Sequence, residues 1–151
     1  MQSFVLQNND GSPLDLYQYQ GDKNLLLIFF RGVWCNVCKK QLKELNENFE
    51  RIEKELNTKM VAISSDTKLK SSLLKTFLRL NFPVLADETL TIINAFNIET
   101  EDKGRRIAKP SFFLINPSHE IIYQYVGQEY DDRLTAKEII ANIKKSLNKP
   151  L

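Results

Sequence analysis

A chain of 151 residues, 42% hydrophobic and 26% charged, has the length and balance of one soluble globular domain over 1–151 and is short for two. A formal net charge of +2, with lysines interleaved among glutamates, is too weak for a nucleic-acid surface, and no aromatic-lined basic stripe accompanies it. No apolar run approaches the roughly 18 residues that span a bilayer, and the opening MQSFVLQNNDGSPLD lacks the basic and apolar regions of a signal peptide, so the expected location is cytoplasmic, away from membranes.

In chain order, Phe4-Val5-Leu6, the Gly-containing turn at Asn9-Asp10-Gly11-Ser12, and Leu14 with Leu16 read as a small hairpin. A polar connector over 17–23 follows. The unbroken apolar run 25–30 is a short strand buried on both faces. Arg31-Gly32-Val33-Trp34 turns the chain into a helix that begins at or just before Cys35 and carries Leu42, Leu45, Phe49, Ile52 and Leu56 along one face. Residues 59–64 read as a second core strand. Ser65-Asp66-Thr67 supplies cap residues for a helix from about Lys68 to Leu80, with Leu69, Leu73, Leu74, Phe77 and Leu80 as its apolar side. The stretch 82–85 is extended, and Asp87 caps a short helix through about Phe96. The segment 99–106, ETEDKGRR, reads as a charged, solvated loop, with partner docking or substrate guarding as the alternative. Pro110 opens an apolar strand within 107–115. A turn at 116–119 leaves His119 as a solvated loop residue, and 121–126 pairs back as an antiparallel strand in which Tyr123 and Tyr125 pack. A last helix over 135–147 presents Ile139, Ile140, Ile143 and Leu147 on one side. The order predicts an α/β fold: a central mixed sheet, helices on both faces, and an N-terminal β-hairpin.

The chemistry concentrates at Cys35 and Cys38, the only cysteines in the chain. A helix N-terminus carries about half a positive charge and unpaired N–H groups, so it favours an anion. Here that anion is a thiolate, whose ordinary pKa near ~8.5 falls to roughly 3.5–7.5 at such positions. Arg31, Lys39 and Lys40 add positive charge nearby. Cys38 is in phase with Leu42 and points inward, whereas Cys35 lies at the helix mouth within reach of solvent. An outer attacking sulfur backed by an inner resolving sulfur suits dithiol–disulfide exchange. The competing reading, two cysteines serving as small apolar packing groups, fits poorly with a strand–helix junction beside Trp34. A zinc site needs about four ligands; only His119 and carboxylates remain to complete one, so neither metal nor other cofactor is expected.

WCxxC after an apolar strand, with Arg-Gly before it and Gln-Leu after it, resembles the thioredoxin superfamily and, more narrowly, its AhpC/TSA (redoxin, peroxiredoxin-like) family. The resemblance covers nearly the whole chain and implies a thioredoxin-like fold. It also implies that Pro110 is a cis-proline facing the cysteine pair, with the backbone at Lys109 and Pro110 taking a substrate's extended chain. Arg31 and Trp34, beside the pair, join them as candidates for substrate binding or activation. Three functions stay open. The first is thiol–disulfide oxidoreduction with Cys35 as nucleophile and Cys38 as resolving thiol. The second is a peroxiredoxin-like antioxidant reaction, in which Cys35 reduces a peroxide and passes through a sulfenic acid. The third is a non-catalytic redox-sensing interaction module. The implied partners are a thioredoxin- or glutathione-type thiol reductant and a disulfide or peroxide substrate, for a monomer or homodimer. The chain departs from the peroxiredoxin PxxxTxxC pattern, holding Ile28 and Gly32 at the Pro and Thr positions; a peroxide-orienting arginine would have to come from Arg31, Arg105 or Arg106. It reads CNVC where thioredoxin reads CGPC, and Phe29 stands near thioredoxin's buried acid. Gln41 stands where ResA-like reductases carry a glutamate.

Overall fold

In the computed structural model, residues 2–129, 131 and 134–148 are described. The chain runs β1 (Val5–Gln7), β2 (Pro13–Asp15), α1 (Leu16–Gln20), β3 (Asn24–Phe29), α2 (Asn36–Glu47), a π-helical segment (Arg51–Glu55), β4 (Thr58–Ser64), α3 (Lys68–Leu78), β5 (Val84–Ala86), α4 (Thr91–Ala95), β6 (Glu99–Asp102), β7 (Arg105–Ala108), β8 (Ser111–Ile115), β9 (Ile121–Val126) and α5 (Ala136–Leu147).

The central sheet has the order β5-β4-β3-β8-β9. Strands β3, β4 and β5 are parallel, and β8 and β9 pair antiparallel. Every residue of β3 and β8 is buried, because helices cover both faces and leave neither side of those strands to water. Side chains alternate across the sheet. Leu26, Ile28 and Phe30 face Leu42 and Leu45 of α2 and Ile139 and Ile143 of α5. Leu25, Leu27 and Phe29 face Leu16 of α1 and Ile92 and Ile93 of α4, with Leu14 of the hairpin. The expected thioredoxin-like architecture is therefore the observed one. Among the described residues, no helix is long and apolar enough to cross a membrane.

Several local expectations are corrected. The polar connector is helix α1, because the Asp15 carboxylate accepts from the Tyr17 and Gln18 amides and Gly21, at φ 60°, ends the turn. The long helix after the cysteines is interrupted at Asn48, whose side chain donates to Glu44 O at 2.9 Å, and resumes as the π-helical segment. Helix α3 packs through Ser71 and Leu74; Leu69, Leu73 and Phe77 are exposed. The charged 99–106 loop is a hairpin, closed by Lys103 (φ 51°) and Gly104 (φ 82°), the left-handed pair that a two-residue type I′ turn requires. His119 is not simply solvated: its ring stacks on Tyr17 with centroids 3.5 Å apart.

Asp87 accepts the Ile93 amide in the first turn of α4 at 2.8 Å, but the N-cap position is Leu90, not Asp87. The last helix starts where expected, with Thr135 and Glu138 forming a reciprocal capping box.

Candidate active site

Strand β3 ends at the carboxyl edge of the parallel part of the sheet, where α/β folds open a crevice for ligands. The chain leaves through Arg31 and Gly32 into a tight turn, closed by the Cys35 amide donating to Gly32 O at 3.1 Å. Glycine is required at position 32 by space. A Cβ there would lie 2.3 Å from Trp34 Nε1 and 2.8 Å from Trp34 Cε2. The indole thus folds back over the Gly32 backbone.

Cys35 is the N-cap of α2. Its backbone is extended (φ −88°, ψ 106°), and its Sγ accepts the Cys38 amide at 3.3 Å. The sulfur occupies the place where a Ser or Asp oxygen commonly caps a helix, at the positive end of the helix dipole. Cys38, within the first turn, is fully buried, in the same apolar cluster as Ile28, Leu42 and Phe112. Cys38 points inward as expected, but Cys35, expected within reach of solvent, is itself buried, with 5% of its surface exposed. Its capping geometry turns the sulfur back toward the Cys38 amide, and Val33, Trp34 and Val37 pack against the cluster that holds both cysteines.

Asp66 holds the turn from the neighbouring strand. Its Oδ2 accepts the Val33 amide at 2.9 Å and the Ser64 hydroxyl at 2.7 Å. The sequence shows Asp66 only as one of three cap candidates. The actual cap of α3 is Thr67, whose hydroxyl accepts from the Lys70 amide, which leaves the Asp66 carboxylate for the cysteine turn.

The β6–β7 hairpin lies against the same turn. Arg31 pairs with Asp102 at 3.2 Å. Arg105 lies over the Trp34 ring at 4.4 Å, and Arg31 lies 5.0 Å from that ring. Arg106 pairs with Glu99 within the hairpin, and Arg106 O accepts from Ser65 Oγ at 2.9 Å. This segment is a hairpin packed on the cysteine turn through Arg31, Trp34 and Ser65, and its tip remains exposed. The signal available in the sequence was Asp-Lys-Gly-Arg: a glycine at the second turn position, flanked by acids and bases that become the opposed pairs Glu101–Arg106 and Asp102–Arg105.

Pro110 is buried one residue before Ser111, which pairs with Phe29, so it lies at the same end of the sheet as the cysteine turn. The expected cis bond is not found: Lys109–Pro110 is trans, like every peptide bond among the described residues. The backbone here is committed within the chain. Lys109 N donates to Ile98 O at 2.8 Å, Lys109 O accepts the Ser111 hydroxyl at 2.8 Å, and Pro110 O accepts the Gly127 amide at 2.8 Å. With those partners in place and no N–H on proline, the segment presents no spare backbone donor to a substrate strand. Gln41 is buried and donates to Leu134 O at 2.8 Å, which ties α2 to the approach of α5. Among the described residues, no group of three or more His, Cys, Asp and Glu side chains is arranged to hold a metal ion.

A mixed sheet of this topology with a CxxC pair capping the helix after its central strand defines a thioredoxin-like dithiol protein. The chain belongs to the AhpC/TSA family, whose sequence model matches residues 1–124. It is 27% identical over 135 residues to the thiol-disulfide oxidoreductase ResA of Bacillus thuringiensis subsp. konkukian, a match covering 87% of this chain and 70% of that protein. It is 25% identical over 143 residues to alkyl hydroperoxide reductase E of Mycobacterium bovis, covering 91% of this chain and 92% of that protein. In structure it resembles AhpC from Enterococcus faecalis, with a TM-score of 0.84 over 97% of this chain and 89% of that one; the 20% identity makes this a likeness of fold alone.

Proposed function

We propose that residues 1–151 act as one thioredoxin-like domain and catalyse thiol–disulfide exchange, with Cys35 as nucleophile and Cys38 as resolving thiol. The observation that carries this is the cap: Cys35 Sγ receives the Cys38 amide at 3.3 Å, with the second sulfur buried behind it. The amide and the helix dipole favour negative charge on Cys35 Sγ. The thiolate attacks one sulfur of a substrate disulfide, the substrate S–S bond breaks, and the departing sulfur takes a proton from solvent. Cys38, deprotonated, then attacks Cys35 Sγ and releases the second substrate thiol. Two electrons have passed to the substrate, and the Cys35–Cys38 disulfide that remains is reduced by an external thiol of thioredoxin or glutathione type. A reducing, cytoplasmic setting suits this cycle.

Trp34, packed against the cluster that holds Cys35 and flanked by Arg31 and Arg105, is the group a substrate meets beside Cys35. Lys109 and Pro110 bound the substrate's path through their side chains rather than by a backbone ladder. Cys35→Ser is expected to abolish turnover of a model disulfide, whereas Cys38→Ser should accumulate a mixed disulfide with substrate, visible by mass spectrometry. Trapping through Cys38 instead would reverse the roles.

Peroxide reduction through Cys35 is the second reading, favoured by the match along 92% of alkyl hydroperoxide reductase E. Against it, Ile28 lies within β3 and Gly32 in the turn, so neither supplies the hydroxyl or proline of the peroxide-binding pattern. Paired kinetics with hydrogen peroxide and a model disulfide on one preparation separate the two readings.

A further inference from the structure

Helix α3 carries Leu69, Leu73 and Phe77 at four-residue intervals, 69%, 59% and 79% exposed. Scattered exposed apolar residues are ordinary on a soluble surface; a stripe of three large ones marks a contact face. Beside the stripe lies an open groove of about 370 Å³, lined by Val33, Lys39, Lys70, Leu73, Leu74 and Phe77. Two of these residues come from the cysteine motif. Val33 sits in the turn that Asp66 holds, and the Lys39 amide donates to Cys35 O at 3.0 Å. The groove therefore runs along the exposed face of α3 to the turn and helix that carry the cysteines, though neither cysteine lines it.

Its charge is of one sign. Both charged residues in the lining, Lys39 and Lys70, are lysines; Lys75 lies on another side of α3, where its Nζ donates to Leu80 O. A second copy of the chain docking through this groove would set those two lysines against their own images, because an isologous contact repeats the same patch. An anionic bilayer would also suit exposed lysines beside an apolar stripe, but it offers no disulfide to the cysteine turn that supplies Val33 to the groove. The chemistry that fits both ends is a polypeptide with apolar anchors, acidic neighbours and a disulfide of its own.

We infer that this groove docks an acidic, apolar segment of the protein whose disulfide Cys35 attacks. Leu73 and Phe77 take the apolar anchors, and Lys39 and Lys70 face the carboxylates. The inference rests on the thiol–disulfide reading above and names the class of substrate.

The test uses the full chain and three disulfides: hydroxyethyl disulfide, a peptide with Glu, Leu and Phe around an internal disulfide, and the same peptide with Lys for Glu. Leu73→Ser/Phe77→Ser alters exposed side chains, so folding is not at stake. Wild type should reduce the acidic peptide at least tenfold faster than the basic one, by kcat/KM. The double variant should lose about that factor on the acidic peptide and keep its rate on hydroxyethyl disulfide, and Lys70→Glu should shift preference toward the basic peptide. Equal peptide rates in wild type, or rates unchanged in the variants, overturn the docking assignment. So does a dimer seen by sedimentation, or binding to phosphatidylserine vesicles, that the double variant abolishes while peptide rates stay the same. Fluorescence anisotropy of the labelled acidic peptide reads docking apart from turnover. Peptide binding that the double variant abolishes, with no disulfide reduced by wild type, upholds the groove and defeats the redox reading instead.

Discussion

Replacing Gly32 by Ala tests how the cysteine turn is built. The added Cβ would meet Trp34 Nε1 at 2.3 Å, Cε2 at 2.8 Å and Cδ1 at 2.9 Å, all shorter than real contacts allow. A rigid indole cannot yield a few tenths of an ångström at one atom, so the whole ring must swing away. Leaving its place removes its contacts with Arg31 at 5.0 Å and Arg105 at 4.4 Å. Each is worth about 0.5–1 kcal/mol. The ring also gives up its packing on the cysteine cluster, and alanine's unfolded-state gain applies only where it fits without strain, so the net loss is about 1 kcal/mol or more. In a chain of this length that lowers Tm by about 2–4 °C or more. The sharper readout is fluorescence, because Trp34 is the only tryptophan in the protein. Gly32→Ala should shift its emission to the red and make it easier to quench by acrylamide, and Cys35 should react faster with a bulky disulfide reagent. Wild-type emission and quenching in the folded variant would refute the packing argument. Arg105→Ala, which removes one contact and leaves the ring seated, should move these readouts far less.

Asp66→Ala leaves the Val33 amide without its acceptor and frees the Ser64 hydroxyl. It should destabilise the protein by about 1–3 kcal/mol in urea unfolding and slow turnover of a small disulfide; a variant as stable and as fast as wild type would refute its role in holding the turn. Asp87 bears on pH. Burial raises its pKa above the ordinary 3.8, partly offset by the Ile93, Ile92 and Thr91 amides. The folded state therefore holds this proton more tightly than the unfolded chain, and the carboxyl's contribution to stability falls as pH rises from about 3.8 through the raised value, then levels off. Asp87→Asn does not titrate and keeps an acceptor oxygen for Ile93. Its stability relative to wild type should rise across that window and then plateau; a difference that is flat or falls with pH would contradict the burial argument.

Where a contact lies close along the chain, or a face is buried on both sides, the sequence was a sound guide. The apolar run 25–30 read as a strand covered twice, and Cys38, in phase with Leu42, read as pointing inward; both are as found. Thr135 stood where a helix starts. Three readings failed for one reason. Leu69, Leu73 and Phe77 have helical spacing, but spacing does not say which side the rest of the protein covers, and α3 turned Ser71 and Leu74 inward. Residues 99–106 looked like solvated charge because their partners, Arg31 and Trp34, lie far away in sequence. The bond before Pro110 is trans where the resemblance implied cis, and the backbone beside it pairs with Ile98, Ser111 and Gly127, partners that the local pattern does not show.

Alternation, helical phase and capping residues, all read within one or two turns of chain, determined the strands and helices of the mixed sheet and its main covering layers, and a dithiol at a helix start with Cys38 inside. Tertiary structure alone decided how far Cys35 is covered, that Asp66 serves the cysteine turn, that the hairpin packs on it, and which face of α3 stays bare. Each of those depends on residues brought together by the crossovers of the sheet, and a local pattern carries no record of what folds against it.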